Sequence, residues 1–317
     1  MRLQPEHLAT LLAIVDTGTF DAAARRLHVT ASAVSQRVKA LEAEVGHVVV
    51  VRASPCRPTA AGEALVRLAR QQSLLEAEAL AGLSSGGEGR VDLPVAVNAD
   101  SMSTWFGAVF SDVADWSDVV IRLHVEDQDH SARLLRSGEV LAAVTSDPAP
   151  VQGCSTEPLV TMRYLPVATP ELVDRHRAGR GIDWGAMPLV RFNGKDDIQQ
   201  RILDRHRVTS APPTHEVPDS TGFAAAVRAG LGWGALLTSQ LTSQLGDALD
   251  SGELVRLGAR DHVDVPLYWQ RWRLPSEHLD RLSDAVRAAA TTSTAGTRGA
   301  PGRTARAASR ATRRTHR

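Results

Sequence analysis

Residues 21–45 constrain the fold more than any other part of the chain. Two short segments of helical periodicity meet there across only three residues, 29–31, which leaves room for a tight turn and nothing longer. Upstream, Leu8, Leu11, Leu12 and Val15 recur at helical spacing until Gly18 breaks the pattern, and Thr19 or Asp21 can cap the next helix, residues 21–28. In the helix after the turn, Val34, Val38, Leu41 and Val45 lie four, three and four apart and form one apolar stripe for a core. The opposite face carries Ser32, Ala33, Ser35, Gln36, Arg37 and Lys39. These side chains suit a duplex groove: a Gln amide matches adenine, a guanidinium matches guanine, a hydroxyl meets several base edges, and an ammonium neutralises phosphate. Gln36 and Arg37 are the expected base readers and Lys39 a phosphate contact. An ordinary helical hairpin with a solvated polar face has the same spacing.

The flanking sequence extends the pattern. Residues 48–52 are a β-branched run ending in Arg52, and Pro55, Arg57 and Pro58 follow, which suits a short hairpin or wing with two arginines for phosphates. Thr59 can cap a long helix to about Leu83, in which Leu65, Leu68, Gln72, Leu75 and Ala79 form a seam that needs a partner helix. Residues 20–70 hold 8 basic and 4 acidic groups. The zero net charge of the 317 residues hides this asymmetry: +1 over residues 1–90, −8 over 91–290 and +7 over 291–317. From Val91 the rhythm becomes short strands, residues 163–168 and 189–192 among them, alternating with helical patterns, an α/β arrangement with a largely parallel sheet, and the last helix is expected over residues 276–290.

The run FDAAARRLHVTASAVSQRVKALEAEVG (residues 20–46) followed by VVVRASPCRPTAAGEAL (residues 49–65) resembles the N-terminal region of LysR-type transcriptional regulators. The resemblance reaches from Leu3 to about Ala290 and implies an α+β multidomain chain. Its parts would be a winged helix-turn-helix DNA-binding domain (1–58), a linker and dimerisation helix (59–83), a hinge (84–90) and a two-lobed effector-binding domain like periplasmic binding proteins (91–290). Lobe I would comprise 91–162 and 266–290, lobe II 163–265, with crossings near Met162 and Pro266, and residues 291–317 would be a disordered arginine-rich tail. The implied partners are double-stranded promoter DNA and further copies of the chain, as a dimer through the linker helix and a tetramer of dimers, with a possible contact to RNA polymerase.

NADSMSTW (98–105), VEDQDHSARLLRSGEV (125–140), MRYLPVA (162–168), STGF (220–223), RAGLGWG (228–234) and PLYWQRW (266–272) resemble the ArgP/LysG branch, regulators that respond to L-lysine, L-arginine or L-histidine and control export of basic amino acids. Within that resemblance, Ser101 and Thr104, read as lying at a helix N-terminus, would hold the effector carboxylate, Glu126 or Asp127 at a strand end would meet an ammonium, and Thr145 and Asp219 would line the cleft. Asp100 or Ser101, and Asp219, could equally serve as helix caps, and Trp105 as core. A regulator of another small ligand, or a ligand-independent nucleoid or origin-binding protein, would share the N-terminal region.

Other classes fit poorly. Gly230-Leu-Gly-Trp-Gly234 lacks the third spaced glycine of a dinucleotide loop and precedes a strand instead of a helix, so no enzyme is expected. Cys56 and Cys154 are far apart and lack metal-ligand spacing, so neither a disulfide framework nor a zinc site has support; no cofactor beyond the small-molecule effector is expected. No apolar run approaches the ~18 residues of a membrane span, and the amphipathic start is unlike a secretion signal, which places the protein in the cytoplasm.

Overall fold

In the computed structural model, which describes residues 3–83, 90–125, 128–241 and 248–298, the chain opens with α1 (Pro5–Thr17), α2 (Phe20–Arg26) and α3 (Ala31–Val45). Gly18 closes α1 in the left-handed region at φ 76°, where a side chain would be strained. Thr19, not Asp21, caps α2, accepting from the Ala22 N–H at 3.1 Å, and Thr30 caps α3 in the same way from the Ala33 N–H at 3.2 Å. The second helix stops at Arg26 and short of His28, because His28 itself turns to φ 55°. Leu11, Ile14, Val34, Val38 and Leu41 are fully buried, each contributing roughly 1.5–3 kcal/mol of apolar transfer free energy. The Asp16 carboxylate accepts from Arg26 at 3.1 Å and Arg70 at 2.6 Å, tying three helices at one point.

The wing is the antiparallel pair β1 (Val50–Val51) and β2 (Arg57–Pro58), and α4 (Ala60–Leu83) follows. Thr59 joins the two, donating to the Val48 carbonyl at 2.7 Å and accepting from the Gly62 N–H at 3.1 Å. On α4, Val66 and Ala69 enter the N-terminal core and Leu74 enters the next one, while Leu68, Leu75, Leu80 and Leu83 stay exposed. Of the seam expected from spacing, Leu65 packs against the N-terminal core, while Leu68 and Leu75 lie outside both cores of a single chain.

The first lobe is built from β3 (Val91–Val97), α5 (Ala99–Thr104), α6 (Val109–Ala114), β4 (Val119–Val125), α7 (Gln128–Ser137) and β5 (Ala142–Thr145), with β3 parallel to both its neighbours. β6 (Cys154–Ala168) then runs out of this lobe. The second lobe holds α8 (Pro170–Arg175), β7 (Arg177–Ala178), β8 (Gly181–Ile182), β9 (Leu189–Arg191), α9 (Ile198–Arg205), β10 (Thr214–Glu216), α10 (Ser220–Arg228), β11 (Gly234–Leu237) and β12 (Val255–Arg256). β13 (Val263–Trp272) returns antiparallel to β6, and α11 (Glu277–Arg298) packs on the first lobe. Met162 faces Val265 across the two strands, next to Pro266, so the expected crossings are on facing strands.

Three expectations need correction. The main sheet is mixed and not largely parallel, because β13 re-enters the first lobe against the direction of β5 and β6. β6 begins at Cys154, well before the strand expected from Arg163. Its first half is half-exposed, and Pro158 stands opposite Tyr268 at a register shift, so it shows no apolar alternation to read. The last helix continues past Ala290 to Arg298, against the disordered tail expected from residue 291. Thr291 and Thr292 donate to the Arg287 and Ala288 carbonyls at 2.8 and 3.0 Å, so their hydroxyls bond within the helix. Residues 84–89 of the expected hinge and residues 299–317 of the expected tail lie outside the described residues. No helix among the described residues is long and apolar enough to cross a membrane.

The wing and α4 touch at Gly62, where an added Cβ would stand 1.9 Å from the Val49 carbonyl oxygen. Gly62→Ala is expected to cost about 1–3 kcal/mol by forcing these backbones apart. Chemical denaturation of the variant measures this; an unchanged midpoint would contradict the packing.

Candidate functional site

The exposed face of α3 carries Ser32, Gln36 and Lys39, which spacing places on successive turns of one side, with Ala33, Ser35 and Arg37 half-buried beside them. Ser32 Oγ is 2.9 Å from Thr30 Oγ1. Arg37 is less available than expected: its guanidinium is paired at 3.3 Å with Glu6 of α1. Arg52 and Arg57 are both exposed on the wing, and Arg52 lies 4.7 Å over the Phe20 ring, a cation–π contact that orients it. Arg25, exposed in the last turn of α2, adds a basic group that sequence reasoning did not single out.

A second site lies between the lobes, a cavity of about 280 Å³. From the first lobe Asn98, Asp100 and Ser146 face it; from the second, Tyr164, Asp196 and Ser220. Asp100 spans the gap, its Oδ2 accepting from the Tyr164 hydroxyl at 2.6 Å and its Oδ1 from Ser220 Oγ at 3.2 Å. Burial pushes the Asp100 carboxyl up from the ordinary carboxylate range; the two hydroxyls partly oppose this and the charge of Asp196 adds to it. Asp196 is raised by burial too, although it accepts from the Phe192 and Ile198 N–H groups at 3.1 Å each. Asn98 Oδ1 is buried and finds no donor among the described residues. A cavity that gathers two desolvated carboxylates and an unpartnered amide oxygen favours a cationic, N–H-rich guest. Positive charge is present as well: Arg201 reaches the wall and pairs with Asp197 at 2.8 Å. No cluster of metal-ligating side chains occurs among the described residues.

The residues expected at this site fall differently. Helix α5 begins at Ala99, so Thr104 ends it instead of opening it, and its hydroxyl donates to the Asp100 carbonyl at 2.6 Å. Ser101 is fully buried, with Oγ 3.9 Å from Met162 Sδ, and does not line the cavity. Thr145 is buried in β5 and accepts from the Asp147 N–H at 3.1 Å; its neighbour Ser146 is the residue on the wall. Asp219 caps α10, accepting from the Gly222 N–H at 2.5 Å, and as expected it also lines the cleft, in an adjoining cavity it shares with Ser103 and Ser220. Trp105 is core, edge-on to Phe106 at 5.6 Å. Glu126 and Asp127 lie outside the described residues. Asp196 was legible in principle: it follows the strand predicted at residues 189–192, the position that singled out Glu126 after its own strand.

Known proteins resemble this chain over most of its length. Residues 5–63 match the family described as "Bacterial regulatory helix-turn-helix protein, lysR family", and residues 86–291 match "LysR substrate binding domain". The chain is 49% identical over 294 residues to the HTH-type transcriptional regulator LysG of Mycobacterium tuberculosis, covering 92% of this chain and 94% of that one. It is 46% identical over 296 residues to the lysine export transcriptional regulatory protein LysG of Corynebacterium glutamicum, covering 91% and 98%. The full-length structure of that C. glutamicum protein with bound effector Arg superposes with a TM-score of 0.80, covering 91% of this chain and 98% of that chain at 46% identity. ArgP of M. tuberculosis superposes with a TM-score of 0.83 at 48% identity, covering 92% and 98%.

Because folding takes Asp100 out of water, its protonated form is favoured in the folded chain, and the ionised form costs stability at any pH above its raised range. Asp100→Asn is therefore expected to raise the unfolding temperature near neutral pH, with the gain shrinking as the pH is lowered and the native carboxyl takes up its own proton. Calorimetric melting across pH checks this. A lower melting temperature, or a gain independent of pH, would contradict it.

Proposed function

Because the chain belongs to the LysR family of bacterial helix-turn-helix regulators, we propose that it binds promoter DNA through α3 and the wing and alters that binding when a basic amino acid enters the cavity between its lobes. The observation that carries the effector class is the pair of half-buried carboxylates, Asp100 and Asp196, both raised by desolvation, on the walls of one cavity. L-Lysine, L-arginine or L-histidine would bring the cation that these acids lack in bulk water's place, and Asn98 Oδ1 would take one of its N–H groups. Arg201 supplies a positive group on the same wall for the carboxylate. The bound arginine and the lysine-export name of the C. glutamicum relative support the same class, and its name supports an exporter gene as the target.

The chain works by binding and not by catalysis, in the cytoplasm where its DNA is. The exposed leucines of α4, Leu68, Leu75, Leu80 and Leu83, fit a second copy of the same helix, which makes the working unit a dimer and allows tetramers of dimers. On DNA, Ser32, Ala33, Ser35, Gln36 and Arg37 face bases, once Arg37 exchanges Glu6 for the duplex, while Lys39, Arg52 and Arg57 meet phosphates. Effector binding that changes the distance between the lobes would reach DNA with a coupling of roughly 1–3 kcal/mol.

Calorimetry of the full-length protein against lysine, arginine, histidine and norleucine tests the effector class. Heat from at least one basic amino acid and none from norleucine is expected; equal binding of norleucine, or silence from all four, would refute it. On the DNA side, Lys39→Ala should weaken all sequences alike and lower the salt slope by about one, whereas Arg37→Ala should cost about 1–3 kcal/mol and relax base preference. Unaltered binding isotherms for both variants would count against α3 as the reading helix.

A further inference from the structure

The far end of α4 meets the first lobe in a polar cluster that neither DNA binding nor the cavity uses. Glu78 extends from α4, and its Oε1 accepts from Ser276 Oγ and lies 2.9 Å from His278 Nδ1. The other ring nitrogen, His278 Nε2, lies 3.1 Å from Asp118 Oδ2, in the turn ahead of β4. Both the His278 and the Glu78 side chains are mostly covered, at 13% and 14% exposure. Arg281, nearly one turn further along α11, donates to Asp118 Oδ1 at 3.1 Å and stacks over Trp116 at 4.1 Å. Ser276 is fixed in turn, because its hydroxyl oxygen accepts from the Leu279 N–H at 3.1 Å as the cap of α11. Beside this cluster, Leu74 and Ala77 of α4 pack on the apolar core of the lobe.

An imidazole between two carboxylates poses a question of proton count. The neutral ring has one N–H, so it can donate to Glu78 or to Asp118 and must turn a lone pair toward the other. The cationic ring donates to both, with charge-assisted bonds roughly twice as strong as neutral ones. The charged groups around it then balance: Glu78 from α4 and Asp118 from the β4 turn against Arg281 and the imidazolium from α11.

We propose that His278 is a positioning residue that clamps α4 to the first lobe when protonated and releases one of its two acids when neutral. The clamp lies between the sensing lobe and the helix that leads to the DNA-binding domain, so it holds α4 in step with lobe movement. This transmission rests on the functional reading above, whereas the clamp itself does not.

Hydrogen–deuterium exchange of the full-length protein without added amino acid reads the clamp directly. After correction for intrinsic rates, amides of residues 74–83 are expected to exchange about tenfold faster at about pH 8 than at about pH 6. His278→Gln, whose one amide nitrogen cannot take the places of both ring nitrogens at any pH, should show the faster rate at both, and Glu78→Gln should likewise lose the pH dependence. Wild-type exchange that ignores pH, or a His278→Gln variant that keeps the difference, would overturn the clamp. For transmission, His278→Gln should bind arginine as tightly as wild type by calorimetry yet show a smaller arginine-induced change in operator affinity. An undiminished change overturns the transmission role. A wild-type protein that responds to none of arginine, lysine and histidine would count against the functional reading instead, and the exchange result would still decide the clamp.

Discussion

A half-buried carboxylate that bridges two lobes is the constraint on which this molecule depends. Asp100 stands at the start of α5 in one lobe and takes its hydrogen bonds from Tyr164 and Ser220, which belong to the other half of β6 and to α10. Breaking that bridge takes both hydroxyl donors from the carboxyl, while keeping it leaves Asp100 under the charge of Asp196, which adds to its resistance to ionisation; Asp196 is itself raised by burial and by Asp197. A cation placed between them relieves both penalties at once. The lobes therefore share a site whose electrostatics depend on what occupies it, which is the differential interaction that an effector needs in order to shift a conformational equilibrium.

The response can travel because few elements separate that site from the DNA-binding face. β6 and β13 are continuous through both lobes, so a change in their twist near Met162 and Val265 moves the lobes as bodies. α4 is shared between two cores, with Val66 and Ala69 in the N-terminal one and Leu74 in that of the first lobe. Under the proposed clamp, the attachment of α4 at its Glu78 end would set where its other end seats at the wing. Thr59 and Gly62 complete the link by seating the other end of α4 on the hairpin.

What was legible in the sequence follows from how local each signal is. The cap at Thr59 acts within three residues and the stripe Val34, Val38, Leu41 is set by helical period alone, so both were readable before any tertiary contact was known; local pattern left Thr19 and Asp21 as alternatives, and the cap at Thr30 was not singled out. The cleft was not, since its residues converge from distant parts of the chain. Ser101 and Asp100 are neighbours in α5, and only the packing of β6 decides that Ser101 turns to Met162 while Asp100 crosses to Tyr164. Asp219 carried an ambiguous signal, cap or ligand contact, and its capping of Gly222 gives it an intrahelical use. The first half of β6 escaped because an exposed strand interrupted by Pro158 has neither alternation nor apolar content to betray it.

The central claim is that positive charge on the effector side chain, and not its shape, moves the lobes and through them the DNA. The most direct measurement is the bend of a doubly labelled operator fragment, followed by fluorescence energy transfer while the bound full-length protein is titrated with arginine and, separately, with its uncharged isostere citrulline. The account predicts a saturable change in transfer efficiency with arginine and none with citrulline at the same concentrations. An equal change with both, or a flat signal with arginine, lysine and histidine alike, would contradict it.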